Sequence, residues 1–288
     1  MSSPKRTVLI TGCSEGGLGE EIAKQYHAKG LRVFATARRP ESMKSLKALG
    51  VEIFALDVTN TESISALKAQ IEELTGGSLD ILVNNAGVPS TSAAVDASID
   101  DVRKLYEVNV FAVMAMVKAF VSLLIASGDG CVVNIGSLSA ITPLPFGSIY
   151  GSSKAALASY SDVLRIELAP FGVRVLVVLA GNVRSNIGGH YLPMPENSIY
   201  KPIEPEFRYN RLDHFHDGAP DRKPVVADIV RESLRRKPRA WLWVGKNWLV
   251  VWLISTFFSR TAFDSIMSKK FGLSKLALIL RSRKAKTA

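Results

Sequence analysis

The chain has 288 residues, enough for one large domain or two modest ones, and 47% of them are apolar, enough to bury a large core. Its formal charge of +10 favours anionic partners such as a phosphorylated cofactor or an acidic lipid surface; with no RNA-recognition motif or zinc finger, no nucleic-acid partner is expected. Two cysteines, Cys13 and Cys131, form neither a CxxC pair nor a zinc spacing, which argues against a disulfide framework and for a reducing compartment.

Residues 1–6 run straight into a strand and leave no room for a signal peptide, so an intracellular protein is expected. Thr7-Val8-Leu9-Ile10 reads as a buried strand. The turn Thr-Gly-Cys-Ser-Glu-Gly-Gly-Leu-Gly follows over residues 11–19, and then the helical spacing of Ile22, Ala23 and Tyr26. Strand, glycine-rich turn and helix in that order suit a dinucleotide: glycines let the backbone approach a pyrophosphate, and the helix N-terminus faces its charge. Gly12, Ser14, Gly17, Leu18 and Gly19 are the turn's candidate cofactor contacts, and the roles of Gly16 and Gly17 stay open.

A second strand, Arg-Val-Phe-Ala-Thr-Ala over 32–37, ends in Arg38-Arg39. An acidic residue here would hold a ribose 2′-hydroxyl, whereas arginine suits a 2′-phosphate, so the cofactor expected is NADP (NADPH), with Thr36 adding a hydroxyl. The third strand, 52–56, ends at Asp57; the fourth, 79–83, ends in Asn84-Asn85-Ala86-Gly87. A long helix is expected over about 99–126. It contains Asn109, which reads equally as a core amide or a site residue, and Lys118, which by itself reads as solvated.

The run 131–136 is the fifth strand and leads to Ser137. Tyr150 and Lys154, four residues apart, share one face if the stretch from Gly147 opens a helix. A phenol beside a fixed ammonium makes an acid that works near neutral pH; lowering tyrosine's pKa of ~10 by ~3 units takes roughly 4 kcal/mol. The sixth strand, 173–179, ends in a turn carrying Val183, Arg184 and Ser185. Strands alternating with helices six times predict an α/β, doubly wound (Rossmann) parallel sheet with helices on both faces.

Prolines interrupt residues 188–224, which read as a long loop or lid, with His214 and His216 as solvated loop residues; no metal site is expected. A helix over 225–236 and a last strand over 240–245 complete a domain of residues 1–245. Beyond it, 246–288 reads as a hydrophobic, basic extension. Its apolar run 248–258 is short for a span of ~20 residues, and cations follow as far as Lys286. A helix lying on the cytoplasmic face of the endoplasmic reticulum or on a lipid droplet is one expectation. A subunit interface, giving a homo-oligomer, or a cap on the core of a cytosolic protein is the other.

Taken together, the glycine turn, Asn84-Asn85-Ala86-Gly87, Asn109, Ser137 and Tyr150-x-x-x-Lys154 resemble the classical short-chain dehydrogenase/reductase family over roughly residues 5–245. Within it the chain is most similar to fungal NADPH-dependent acyl-dihydroxyacetone-phosphate reductases. The resemblance implies reduction of a ketone on a hydrophobic substrate, with Tyr150 as proton donor, Lys154 lowering its pKa and holding the nicotinamide ribose, Ser137 orienting the carbonyl and Asn109 supporting the relay. It also implies Asp57 near the adenine, Asn84 and Asn85 near the cofactor, Val183 and Ser185 near the carboxamide, and Lys118 as a further cofactor contact. The turn carries one residue more than the family pattern, and Ala180 stands where proline is usual. A ketoreductase of secondary metabolism, a hydroxysteroid-type dehydrogenase and a non-catalytic nucleotide-binding scaffold are the alternatives.

Overall fold

The computed structural model describes residues 5–184, 194–214 and 216–287. In chain order the elements are β1 (Thr7–Ile10), α1 (Leu18–Ala28), β2 (Arg32–Ala37), α2 (Lys44–Ala48), β3 (Glu52–Ala55), α3 (Thr61–Thr75), β4 (Ile81–Asn84), α4 (Ile99–Tyr106), α5 (Ala112–Ala126), β5 (Cys131–Ile135), α6 (Ser148–Leu168) and β6 (Arg174–Ala180). Then come α7 (Glu204–Arg208), α8 (Arg222–Ser233), β7 (Trp241–Val244), α9 (Trp248–Phe257), α10 (Asp264–Lys270) and α11 (Leu273–Thr287). The strands form one parallel sheet in the order β3-β2-β1-β4-β5-β6-β7.

Short β-branched runs make these strands because both faces of a parallel sheet are covered. Alternate residues point to opposite faces. Val8 and Ile10 pack with Ile22, Tyr26, Val226 and Ile229 beneath α1 and α8. Leu9, between them, packs on the other side with Ile71, Phe120 and Leu164, from α3, α5 and α6. Cys13 and Cys131 are free and buried. The sequence order reverses between β1 and β4, so the strand ends there open a crevice, the usual ligand position in such sheets.

Local chemistry sets the helix ends. Asn60 caps α3, its Oδ1 accepting from the Ser63 amide at 2.6 Å, and Gly76 ends the same helix at φ 67°. Ser98 Oγ accepts from the Asp101 amide at 3.1 Å to start α4. The helix expected over 99–126 is interrupted by a π turn, Glu107–Phe111, that carries Asn109.

One expectation needs correction. The proline-interrupted stretch is not a plain loop where it is described: a 3-10 turn (Lys201–Ile203), α7 and a π turn (Tyr209–Asp213) follow one another. Pro202 and Pro205 lie in the first turns of two of these elements, where a missing N–H costs nothing. The extension, for which a cap on the core was among the expectations, packs on the domain. Val251 and Phe263 join Leu138, Val177 and Leu179 in one buried cluster, and Phe271 and Leu276 join Phe146, Ile203 and Phe207 in another. In the described chain, residues from 246 onward thus cap the core.

Candidate active site

The glycine turn packs against the end of β4. Gly12 has φ 74°, and a Cβ there would lie 2.8 Å from the Ala86 Cα. A Cβ on Gly19 would collide with the Gly12 carbonyl and come within 2.5 Å of Asn85 Nδ2. Asn85 Nδ2 donates to the carbonyls of Thr11 and Gly12, both at 2.9 Å. Thr11 Oγ1 accepts from the amides of Asn85 and Ala86, both at 3.0 Å. Gly16 takes φ 76°, while Gly17 is the N-cap of α1 with no side chain occupying the cap. Glu20, buried at the base of α1, accepts from the Gly16 amide at 2.7 Å. Burial alone would raise its pKa, but Lys24, Ser45 and that amide hold it below the usual carboxylate range.

At the end of β2, Arg38 and Arg39 are exposed beside this turn. Ser14 and Ser42 join the two segments through their hydroxyls at 3.0 Å, and Ser42 Oγ donates to the Arg39 carbonyl at 2.7 Å. Asp57 follows the next strand. Its Oδ1 accepts from the Thr59 amide and hydroxyl at 2.9 and 2.7 Å, and these bonds, with the Arg38 charge, lower its pKa. Thr36 does not join this group: it is fully buried, and its hydroxyl donates to the Ile10 carbonyl at 3.0 Å between two strands.

Past the switch point, a cleft of about 330 Å³ is lined by Leu18, Asn85, Ser137, Tyr150, Lys154 and Val183 among others. Ser137 ends β5. Its hydroxyl oxygen accepts from Ser139 Oγ at 2.8 Å and from the Ser139 amide at 3.2 Å, which leaves its own proton to donate. Tyr150, in the first turn of α6, lines the same cleft, near enough for the Ser137 hydroxyl to favour its phenolate. Lys154 lies one turn on, buried, with Nζ 5.7 Å from the Tyr150 ring centre and donating to the Ile135 carbonyl at 2.8 Å.

The electrostatics differ from the expectation. Burial raises the Tyr150 pKa above 10.0, against the downward pulls of the Ser137 bond and the Arg211 charge. Burial also pushes the Lys154 ammonium down to about 8. Lys154 is tied to the backbone of β5 through the Ile135 carbonyl.

Asn109 is fully buried behind these residues. Its Oδ1 accepts from the Val88 amide at 2.8 Å, and Nδ2 donates to the Val88 carbonyl at 3.0 Å and to Ser153 Oγ at 3.2 Å. Asn84 is placed inside the sheet and not in the cleft: its Nδ2 donates to Asn134 Oδ1 at 2.9 Å, and Asn134 passes the chain to Ser161 at 2.8 Å. Lys118 is exposed on α5 and does not line the cleft, as a solvated residue would be. Ser185 lies outside the described residues.

Several contributors carried no signal that was read from the sequence. Thr11 opens the glycine turn, and Ser139 stands two residues after Ser137, so proximity could have flagged both. Arg211 on the π turn could not be found this way, because its segment shows no helical period. The same holds for the cleft wall from the extension, formed by Lys246, Val251, Met267, Lys270 and Phe271.

Residues 6–194 match the family model for short chain dehydrogenase. Short-chain dehydrogenase srdE of Neurospora crassa is 44% identical over 270 residues, covering 93% of this chain and 92% of that protein. The NADPH-dependent 1-acyldihydroxyacetone phosphate reductase of Schizosaccharomyces pombe is 43% identical over 229 residues, covering 75% of this chain and 77% of that protein. Among solved structures, a short-chain dehydrogenase from Streptomyces avermitilis superposes with a TM-score of 0.78 at 29% identity, covering 97% of this chain and 99% of that one. A parallel sheet in this strand order, a glycine turn at its switch point and serine, tyrosine and lysine gathered in the crevice agree with these matches: the chain belongs to the short chain dehydrogenase family of oxidoreductases.

Proposed function

We propose that the protein is an NADPH-dependent reductase that converts a ketone on a hydrophobic substrate to a secondary alcohol. The observation that carries the reading is that Ser137, Tyr150 and Lys154 line one cleft, with Lys154 Nζ 5.7 Å from the Tyr150 ring centre one turn behind. The turn fits a dinucleotide: Gly12 and Gly19 let it pack directly on Asn85 and Ala86 at the end of β4, and no side chain caps the N-terminus of α1 that follows. Gly12, Ser14, Gly17, Leu18, Gly19 and Asn85 would line the pyrophosphate side, Arg38 and Arg39 the 2′-phosphate, Asp57 the adenine and Val183 the carboxamide. The cofactor supplies the hydride. Ser137, its oxygen already occupied by Ser139, donates to the ketone oxygen and holds it beside Tyr150. Tyr150 gives its proton to that oxygen as negative charge gathers there. Lys154 fixes the ribose side and supplies positive charge near the phenol; Asn109 holds the loop at Val88 against α6.

Apolar lining by Leu138, Leu144, Val251 and Phe271 supports a hydrophobic substrate, and the activity of the Schizosaccharomyces pombe relative makes an acyl-dihydroxyacetone phosphate the first candidate. A ketone of secondary metabolism is the second. The proposal includes contact with a lipid surface. Exposed apolar side chains on the outer face of α9, from 40% for Trp248 to 66% for Phe257, support it, together with the cations Arg281, Arg283, Lys284 and Lys286 of α11.

NADPH absorbance followed over a ketone panel that includes palmitoyl-dihydroxyacetone phosphate tests the reaction. NADPH should be consumed with at least one long-chain ketone, and NADH far less well. Replacing both Arg38 and Arg39 with Ala should raise the NADPH Michaelis constant about tenfold to a hundredfold and leave NADH little changed. Equal weakening of both cofactors would assign the arginines to the fold.

A further inference from the structure

Beside the cleft lies a second hollow, of about 730 Å³, lined by the loop that leads from Ser139 into α6. Ser139, Thr142, Leu144, Gly147 and Met267 line both, so the two are neighbours across one wall. That wall starts at the reacting groups, since Ser139 Oγ donates to Ser137 Oγ at 2.8 Å. Buried Ala93 and Phe146 make the floor of the hollow, and the exposed residues Ala94, Ser148, Thr261 and Asp264 mark its opening. Ile141, Pro145 and Leu273 add apolar surface, while the charged side chains on it, Arg260 and Asp264, belong to exposed residues.

The partition between the hollows is held from the extension. Met267 of α10 packs with Phe146 and Phe271 in one buried cluster and with Leu138, Val251 and Phe263 in the other. It is half-buried, and its unbranched thioether changes shape easily without leaving its place. The 3-10 turn before α10, Arg260–Phe263, carries Arg260 and Thr261 of the opening and is rooted through buried Phe263.

The volumes decide what each hollow takes. The cleft of about 330 Å³ is lined by Leu18, Asn85, Lys154 and Val183, so it must receive the reacting end of a cofactor together with the ketone. Small-molecule sites run from roughly 300 to 1,000 Å³, so a cleft at the low end leaves little room for a long chain. Resting on the proposed ketone reduction, we propose that the second hollow is a substrate site for a long unbranched alkyl or acyl chain attached to the ketone, and that Met267 is the specificity-determining residue past which the chain runs. Two hollows parted by one wall suit a flexible chain, which bends from one into the other; a rigid fused-ring ketone of equal apolar area does not make that bend. Each methylene taken out of water adds to binding, and the end of the hollow sets a preferred length.

Straight-chain methyl ketones from octyl to hexadecyl, each kept below the concentration at which it self-associates, test the site. In wild type kcat/KM should rise roughly fourfold per added methylene while the hollow fills and then level off. Ala94→Trp and Thr261→Trp fill the hollow from two different segments, at exposed positions outside the cleft lining. Each should stop the rise at a shorter chain and lower the hexadecyl-to-octyl ratio of kcat/KM by at least about tenfold. Met267→Trp should lower that ratio further, and Met267→Leu, a near-isosteric change, should keep it. A second readout needs no turnover: a hexadecyl ketone with a diazirine at its far end, irradiated in the NADP-loaded protein, should label residues 140–148 or 260–268. A flat chain-length series in wild type, a rise that both tryptophans leave untouched, a steroid ketone used as well as the hexadecyl one, or label confined to other segments would each overturn the assignment. Failure to reduce any ketone, with the label still in the hollow, would instead count against the reductase reading and leave the chain site standing.

Discussion

Lys154 shows how burial and function meet in one side chain. Its ammonium is enclosed, bonded to the Ile135 carbonyl, and has its pKa pushed down from 10.5 to about 8. Between those values the unfolded chain holds the proton and the folded chain releases it, so stability rises with pH across that window. Below about 8 both states carry the proton, and the cost of the buried charge is fully present. Urea denaturation midpoints, taken from pH 8 to pH 10 (the window that the shifted and ordinary values define), should rise in wild type relative to Lys154→Met. Parallel pH dependences would show that the amine is not buried as a charge. Ser137 makes a different point. Its partner Ser139 occupies its acceptor side, so the direction of the Ser137 proton is set by a neighbour two residues away.

At the scale of elements, the extension and the Arg211 segment work as a pair. Phe146 sits at φ 60°, a backbone state that a bulky residue adopts only when its surroundings hold it. Its ring meets Tyr200, Phe207 and Phe271 at 5.5, 4.9 and 6.3 Å between centres, and the next residues, Gly147 and Ser148, open the helix that carries Tyr150. Removing the extension would therefore strip a wall from the cleft and release the turn before the proton donor. A chain ending at Gly245 should lose ketone reduction and melt at lower temperature, and Phe271→Ala alone should cost about 3–5 kcal/mol. If lipid contact also holds, the full chain floats with anionic liposomes and Phe271→Ala, which keeps the outer faces of α9 and α11, floats as well. Full activity in the truncated chain would reduce the extension to an attachment. The elements of the Rossmann core were legible in the sequence because each strand is a short β-branched run and each helix has a periodic apolar face. The extension was legible in composition and not in placement: Trp248 to Phe258 is apolar on all sides, and such a run does not say which face meets protein.

For the whole molecule, the sheet order brings together residues more than a hundred positions apart. Gly12 follows β1, Asn85 follows β4, Ser137 follows β5 and Val183 follows β6, and all stand at one edge of one sheet. That is why the motif residues could be gathered from the sequence once the alternation of strands and helices was seen. Thr36 and Asn84 mark where such reasoning stops. A position at a strand end fixes which edge a residue occupies; whether its side chain turns to the ligand or into the sheet depends on strand pleat and on partners such as Ile10 and Asn134. Arg211 escaped for the converse reason, since it reaches the cleft from a segment outside the sheet. The net charge of +10 fits an enzyme that handles a phosphorylated cofactor. The most direct test of the account is single-turnover reduction by Tyr150→Phe, loaded with NADPH and mixed with the best ketone found for wild type. The account predicts that the variant binds NADPH as wild type does and that the NADPH absorbance then stays constant, because the ring packing remains and the proton is gone; oxidation of NADPH at near the wild-type rate would contradict it.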